Sequence, residues 1–234
     1  MDALTAARLA EASYQAEPTF RFGPVCRMWV SEVEDGVALV FPGTRPDHPG
    51  DDFADLDVGP LSVEPDKLVH AGFWREGQMA FPTVVRLARQ KPIHLIGHSL
   101  GAGAVGAVAT MCATAGVPVA SVWGFGCPRT AVGRWQAAML AAAGIPVRLL
   151  RNGGDLVTRL PMHVDNAALP GALRHLAHAV LPFVGDWDVY GVEAQISGSR
   201  SDPLNLRDHA IGAYVAALEA KFNADSTRHF GGLL

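Results

Sequence analysis

Cysteine is scarce. The 234 residues hold three, Cys26, Cys112 and Cys127. An odd, sparse set makes no disulfide framework. With no CxxC pair and no cluster of His and Cys, a metal site is not expected. Charge is also sparse, at 18% Asp, Glu, Lys and Arg, below the usual average of about 25%, which argues against long disordered tracts. There is no basic excess: 19 Lys and Arg stand against 23 Asp and Glu, a formal net charge of −4. Nucleic acid is therefore not the expected partner, because phosphate binding needs a basic face. No run of about 20 apolar residues escapes charge, Gly and Pro, so no transmembrane helix and no stable membrane insertion are expected. Met1-Asp2-Ala3-Leu4 lacks the basic and apolar regions of a secretory signal. A cytoplasmic chain with reduced thiols is the default expectation, with signal-less export left open. Linkers, charge blocks and low-complexity segments are missing too, so a single domain over 1–234 is expected.

Hydrophobic residues, by contrast, make up 49% of the chain. A chain of this length can bury about 70% of its unfolded surface, enough for a full core. Ala115-Gly116-Val117-Pro118-Val119 recurs as Ala143-Gly144-Ile145-Pro146-Val147. Each copy follows an Ala-rich stretch and precedes an apolar run. Gly just past a helix, with Pro two residues on, is a helix stop. The runs at 117–125 and 145–150, with the one around 93–96, read as buried strands. Strand, helix, strand, helix, strand across 92–151 is the pattern of βαβ units in a parallel sheet. Upstream, 26–33 and 37–41 flank Glu34-Asp35-Gly36, a hairpin signal. Ile211, Val215, Leu218 and Phe222 lie at helical spacing, which predicts an amphipathic helix over about 209–223. The stretch 163–207 has little periodicity and reads as an irregular loop or cap.

The sharpest motif is Gly97-His98-Ser99-Leu100-Gly101. Its G-x-S-x-G spacing falls between a predicted strand and a predicted helix, the context of a nucleophile elbow. A serine on so tight a turn needs neighbours without bulk two positions away. The helix start turns free N–H groups and its positive dipole end toward the serine. The Leu100 N–H is then placed to bind a developing oxyanion. A Gly-rich turn with Ser99 as a plain helix cap is the competing structural reading.

The sequence resembles the class 3 lipases, the fungal-lipase-like branch of the α/β-hydrolase fold, at several points besides the elbow. Val40-Phe41-Pro42-Gly43-Thr44 looks like that family's oxyanion strand, with Pro42 where Arg is common. Val69-His70-Ala71-Gly72-Phe73 is similar to Val-His-x-Gly-Phe. Gly124-Phe125-Gly126-Cys127-Pro128-Arg129 is similar to the Phe-Gly-x-Pro-Arg block. Asp155-Leu156-Val157-Thr158-Arg159-Leu160-Pro161 resembles the aspartate segment. The matches cover about 37–161, with His209 and the final helix as a further one. The resemblance implies an α/β fold with a mostly parallel central sheet and helices on both faces. It also implies Thr44 as second oxyanion donor beside Leu100, and 45–69 as a lid-like segment.

Serine is a weak nucleophile at neutral pH and needs a base, which a carboxylate in turn orients. In α/β-hydrolases the chain order is Ser, acid, His. Ser99, Asp155 and His209 fit it. Asp155 follows a predicted strand and Gly153-Gly154, at the carboxyl end where open α/β sheets bind ligands. Asp165, Asp186, Asp188 and Asp202 follow no comparable strand. Among the histidines, His163, His175 and His178 also lie beyond Asp155 and compete with His209, which the family match and its helix-start position favour. His94 and His98 are expected to pack beside the serine, and His70 to have a structural role.

Such a triad needs no metal and no organic cofactor. The expected partner is a small-molecule ester or lipid substrate; nothing in the sequence assigns an oligomeric state. Residues 45–69 hold seven acidic residues and are broken by Pro46, Pro49, Gly50, Gly59, Pro60 and Pro65, so no long amphipathic helix is expected there. Their acidity would repel anionic lipid surfaces. The expectation is a carboxylesterase for short-to-medium acyl esters. A true lipase or phospholipase at membranes, an acyltransferase, and a non-catalytic binding module of the same fold are the alternatives.

Overall fold

The structure, a computed structural model, describes residues 1–23, 26–43, 59–160, 162–163, 184–185, 187–197 and 207–230. Thr44, the acidic stretch through residue 58, and His48, Asp165, His175, His178, Asp186 and Asp202 lie outside them.

Helix α1 (Ala3–Ala12) starts at Asp2, whose carboxylate accepts from the Thr5 N–H at 2.8 Å. Strands β1 (Phe20–Phe22), β2 (Cys26–Val33) and β3 (Gly36–Phe41) are antiparallel neighbours. Val33 pairs with Gly36, so the expected hairpin turns on Glu34-Asp35. A second hairpin, β4 (Pro60–Glu64) and β5 (Lys67–His70), runs directly into α2 (Ala71–Ala88). Then come β6 (Ile93–His98), α3 (Leu100–Ala115), β7 (Ser121–Phe125), the short β8 (Ala131–Val132), α4 (Trp135–Ala142) and β9 (Val147–Asn152). A 3-10 turn, Val157–Arg159, precedes β10 (Met162–His163), β11 (Val184–Gly185), β12 (Trp187–Asp188) and β13 (Glu193–Ser197). Helix α5 (Ile211–Phe230) follows.

The main sheet has the order β1-β2-β3-β6-β7-β9-β13. From β3 through β13 every pairing is parallel. Strand alternation sends side chains to two separate cores. Val37, Leu39 and Phe41 of β3 join Leu95, Val122 and Leu149 under α2, α3 and α4. Ala38 and Val40 join Ile96, Trp123 and Phe125 under α1 and α5. Helices thus cover both faces, as expected, and α1 and α5 lie side by side on one of them.

Both repeated helix stops are present: α3 ends on Gly116 at φ +66°, and α4 is followed by Gly144 at φ +67°. The strands after them are shorter than the apolar runs, since Val117 to Ala120 lead in to β7. Two stretches depart from the sequence reading. Residues 60–69, grouped by sequence with the lid-like segment, form the β4–β5 hairpin of a small second sheet, β12-β8-β5-β4. Residues 193–197, inside the stretch read as loop or cap, form β13 and extend the parallel sheet beyond β9. Among the described residues no helix is long and apolar enough to cross a membrane.

Candidate active site

The turn between β6 and α3 carries Ser99 at φ 56°, ψ −128°, a conformation that costs a non-glycine residue about 1–3 kcal/mol. Three features hold it. The Ser99 N–H donates to the Phe125 carbonyl of β7 at 2.9 Å. A Cβ at Gly97 would come within 2.5 Å of the Ala102 Cα, and one at Gly101 within 2.1 Å of the Phe41 carbonyl oxygen. The two glycines are therefore required by close backbone approach. Ser99 is buried at 4% exposure and sits at the head of a 16-residue helix, whose dipole favours negative charge at that end. The Leu100 N–H, the first of that helix, has no acceptor among the described residues.

Asp155 reaches the same place from the carboxyl end of β9. Its N–H donates to the Asn152 carbonyl at 3.0 Å, closing a turn through Gly153-Gly154. The Val157 N–H donates to Asp155 Oδ1 at 2.9 Å, an Asx-turn that points the carboxylate inward. Asp155 is fully buried. His209 arrives from the segment before α5, which Asp208 ties to the β9 loop. The Gly154 N–H donates to Asp208 Oδ2 at 2.8 Å, and the Asn152 amide donates to the Asp208 carbonyl at 3.1 Å.

The structure therefore brings Ser99, Asp155 and His209 into one hydrogen-bonded chain. His209 Nδ1 lies 2.9 Å from Asp155 Oδ2 and 3.0 Å from Oδ1. His209 Nε2 lies 2.8 Å from Ser99 Oγ. An ionised carboxylate only accepts, so Nδ1 carries the imidazole proton and donates it. Nε2 then accepts from the Ser99 hydroxyl. Burial alone would raise the Asp155 carboxyl. The His209 hydrogen bond and charge, the Tyr214 hydroxyl at 2.6 Å and the Val157 N–H outweigh it and hold the group below its ordinary 3.8. A serine hydroxyl bonded to a neutral imidazole that is braced by a carboxylate can pass its proton to Nε2 as it attacks.

The other histidines sort differently. His98 packs beside the serine, as expected. His94 does not: it lies at the opposite end of β6, with Nδ1 2.7 Å from the Ser121 hydroxyl. His70 is buried and stacks on Phe73 at a centroid distance of 4.0 Å. For His163 only the backbone is described.

Three residues at the site carried no local signal. Tyr214 stands one turn into α5, and a tyrosine on the apolar face of a helix reads as core. Asp208 reads as a neighbour of the histidine. Gly126 sits at φ +58°, where a Cβ would lie 2.8 Å from Asp155 Oδ2 and 2.9 Å from His209 Nδ1. Its place in Phe-Gly-x-Pro-Arg was the one available hint.

The fold is similar to that of the Rhizomucor miehei triacylglyceride lipase, with a TM-score of 0.57 and 20% identity over 82% of this chain and 78% of that one. It is also similar to lipase II from Rhizopus niveus, at TM-score 0.53 and 19% identity over 77% of this chain and 64% of that one. A triacylglycerol lipase described as having a serine protease triad at its catalytic centre matches at TM-score 0.50 and 25% identity, over 74% of this chain and 62% of that one. This chain spans just under two thirds of the latter two. No curated protein matches it in sequence. Residues 38–164 match the family model for class 3 lipases, more than half of the chain, and the protein therefore belongs to the class 3 lipases and is a serine hydrolase that acts on esters.

Proposed function

We propose that Ser99 is the nucleophile, His209 the general base and acid, and Asp155 the orienting carboxylate of a carboxylester hydrolase for short-to-medium acyl chains. The observation that carries the reading of the residues is the unbroken chain from Ser99 Oγ through His209 to Asp155. The Ser99 oxygen attacks the ester carbonyl while its proton passes to His209 Nε2. The carbonyl electrons move onto oxygen, and the Leu100 N–H stabilises that oxyanion, with Thr44 as the second donor by resemblance. Collapse expels the alcohol, which takes the proton from Nε2. Water, deprotonated by the same nitrogen, then attacks the acyl-serine and releases the acid. One oxyanion donor is worth about 2.7–4 kcal/mol in kcat.

Two tests separate the parts of this reading. A fluorophosphonate probe is expected to label the wild-type chain at Ser99, to leave Ser99→Ala unlabelled, and to react at least about a thousandfold more slowly with His209→Ala. Intact-mass spectra without an adduct on the wild type would instead favour a non-catalytic binding module. The acyl-chain preference rests on the acidic, proline-broken segment at 45–69. It is tested with nitrophenyl esters of increasing chain length below and above micelle formation. A smooth profile that favours short and medium chains is expected. A steep jump on micelles with long chains preferred would favour the second reading, a lipase acting at interfaces, which the likeness to triacylglycerol lipases supports.

A further inference from the structure

We infer that Tyr14 and His98 are positioning residues for this site: one hydrogen-bonded relay, from the Gly43 N–H through the Tyr14 hydroxyl and the His98 ring to the His209 carbonyl, holds the end of β3 and the main chain of His209 in a common frame around Ser99. The inference rests on the triad reading above. It adds two residues from parts of the chain that the sequence motifs leave unused.

The geometry fixes every direction in the relay. The Gly43 N–H lies 2.7 Å from the Tyr14 oxygen and can only donate. The Tyr14 hydroxyl lies 2.6 Å from His98 Nδ1 and turns its own proton to that nitrogen when the neutral ring carries its proton on Nε2. His98 Nε2 lies 2.8 Å from the His209 carbonyl oxygen, which can only accept. Main-chain groups at both ends leave His98 one tautomer, neutral with its proton on Nε2. Burial, together with the nearby His209, lowers the His98 pKa to about 3, so the ring stays in that form through the neutral range.

Each end of the relay lies at the proposed chemistry. The His98 ring stacks on the His209 ring at a centroid distance of 4.9 Å. A Cβ placed on Gly43 would come within 2.6 Å of the Ser99 Cβ and 2.9 Å of the Tyr14 hydroxyl. The chain just past β3, held by Tyr14 at Gly43, thus passes close against the nucleophile. Tyr14 itself comes from the turn after α1, and α1 lies on the same face as α5. Both terminal helices thereby converge on His98. Because the relay touches neither the serine oxygen nor the reactive imidazole nitrogens, its effect is on placement.

The test uses Tyr14→Phe, His98→Gln and His98→Asn in the full chain. kcat and KM are measured on a soluble nitrophenyl ester, with active sites counted by fluorophosphonate titration and folding followed by melting temperature. Tyr14→Phe is expected to lower kcat per titrated site about tenfold, with KM within about twofold. The Gln amide occupies the place of His98 Nε2 and can still donate to His209, whereas the Asn amide is too short. His98→Gln is therefore expected to keep several-fold more kcat than His98→Asn. Unchanged kcat per titrated site in Tyr14→Phe, or equal losses in both His98 variants, would overturn the inference. Ring 15N shifts supply a readout independent of turnover. His98 is expected to stay the neutral Nε2–H tautomer at neutral pH, and Tyr14→Phe is expected to move the His209 signals. A protonated or Nδ1–H His98, or unmoved His209 signals, would also overturn it. A wild-type chain that takes no fluorophosphonate would count against the triad reading and leave the NMR result to decide the relay.

Discussion

At the scale of single residues, the site is organised by what cannot be larger and by what must donate. Gly126 is a case of the first. Its positive φ disfavours any side chain by about 1–2 kcal/mol, and a Cβ there would press between the Asp155 carboxylate and His209 Nδ1. Gly126→Ala is expected to lower kcat at least about a hundredfold, more than its loss of stability explains. Steady-state rates and a urea midpoint on the same preparation check this. Tyr214 is a case of the second. Its hydroxyl donates to Asp155 Oδ2 at 2.6 Å, and hydrogen bonds to a charged group are worth about 1.5–3 kcal/mol. Asp155 is held below 3.8 in the folded chain. Its stabilising contribution is thus present in full above that value and is lost as the pH falls through the lower folded value. Tyr214→Phe weakens that contribution. Its stability deficit against wild type is expected to be greatest near neutral pH and to shrink on acidification, as read by urea denaturation along a pH series.

At the scale of elements, local signals account for much of what forms. The Glu34-Asp35 hairpin and the two Gly-ended helices could be read because turn and cap chemistry is local. Helix α2 could not, since Gly72, Gly77 and Pro82 interrupt it and its stability comes from packing against α3 and the sheet. Strand β13 could not either, because its pattern has no clean alternation and only the edge of β9 selects it. In α5 the spacing was legible but one face residue was not: Phe222 is 65% exposed, while Tyr214, absent from the apolar set, is fully buried. Strands β6 and β7 are also joined at the end away from the site. There the Trp123 N–H donates to the Ser121 oxygen at 3.0 Å, and the Ser121 hydroxyl serves His94 Nδ1. Ser121→Ala strands two buried polar groups and is expected to cost about 2–4 kcal/mol in a denaturant titration. The kcat on a soluble ester should stay within about twofold, because His94 stands five residues, about 16 Å, from Ser99 along the strand.

At the scale of the whole molecule, acid should act through the centre of the site. His98 has a folded pKa of about 3 against an ordinary 6.5. Between those values the unfolded chain binds a proton that the folded chain refuses, so stability falls as the pH drops through that window, by up to about 1.4 kcal/mol per pH unit. Tyr14, His209, Asp155 and Tyr214 surround the ring; the hydrogen bond to the His209 carbonyl and the Asp155 charge oppose the shift, and burial with the His209 charge outweighs them. Stability measured from pH 7 down to 4 is expected to decline less steeply in His98→Gln than in wild type. A parallel decline in both would show that other groups carry the acid sensitivity. What the sequence determined by itself is whatever a short stretch of chain decides: the elbow at Ser99, the parallel strand–helix alternation, the hairpin, the absence of a membrane-spanning run. Its motif order also favoured Asp155 and His209, but left His163, His175 and His178 as rivals for the place beside the serine. Tertiary structure alone decided that His209 meets Ser99 across 110 positions, that Tyr14 and Tyr214 converge there from the two ends of the chain, and that Gly126 must lack a side chain. The physical reason is that a hydrogen bond or a clash depends on where two surfaces meet, and the packing of α1 and α5 on one face of the sheet sets that meeting point.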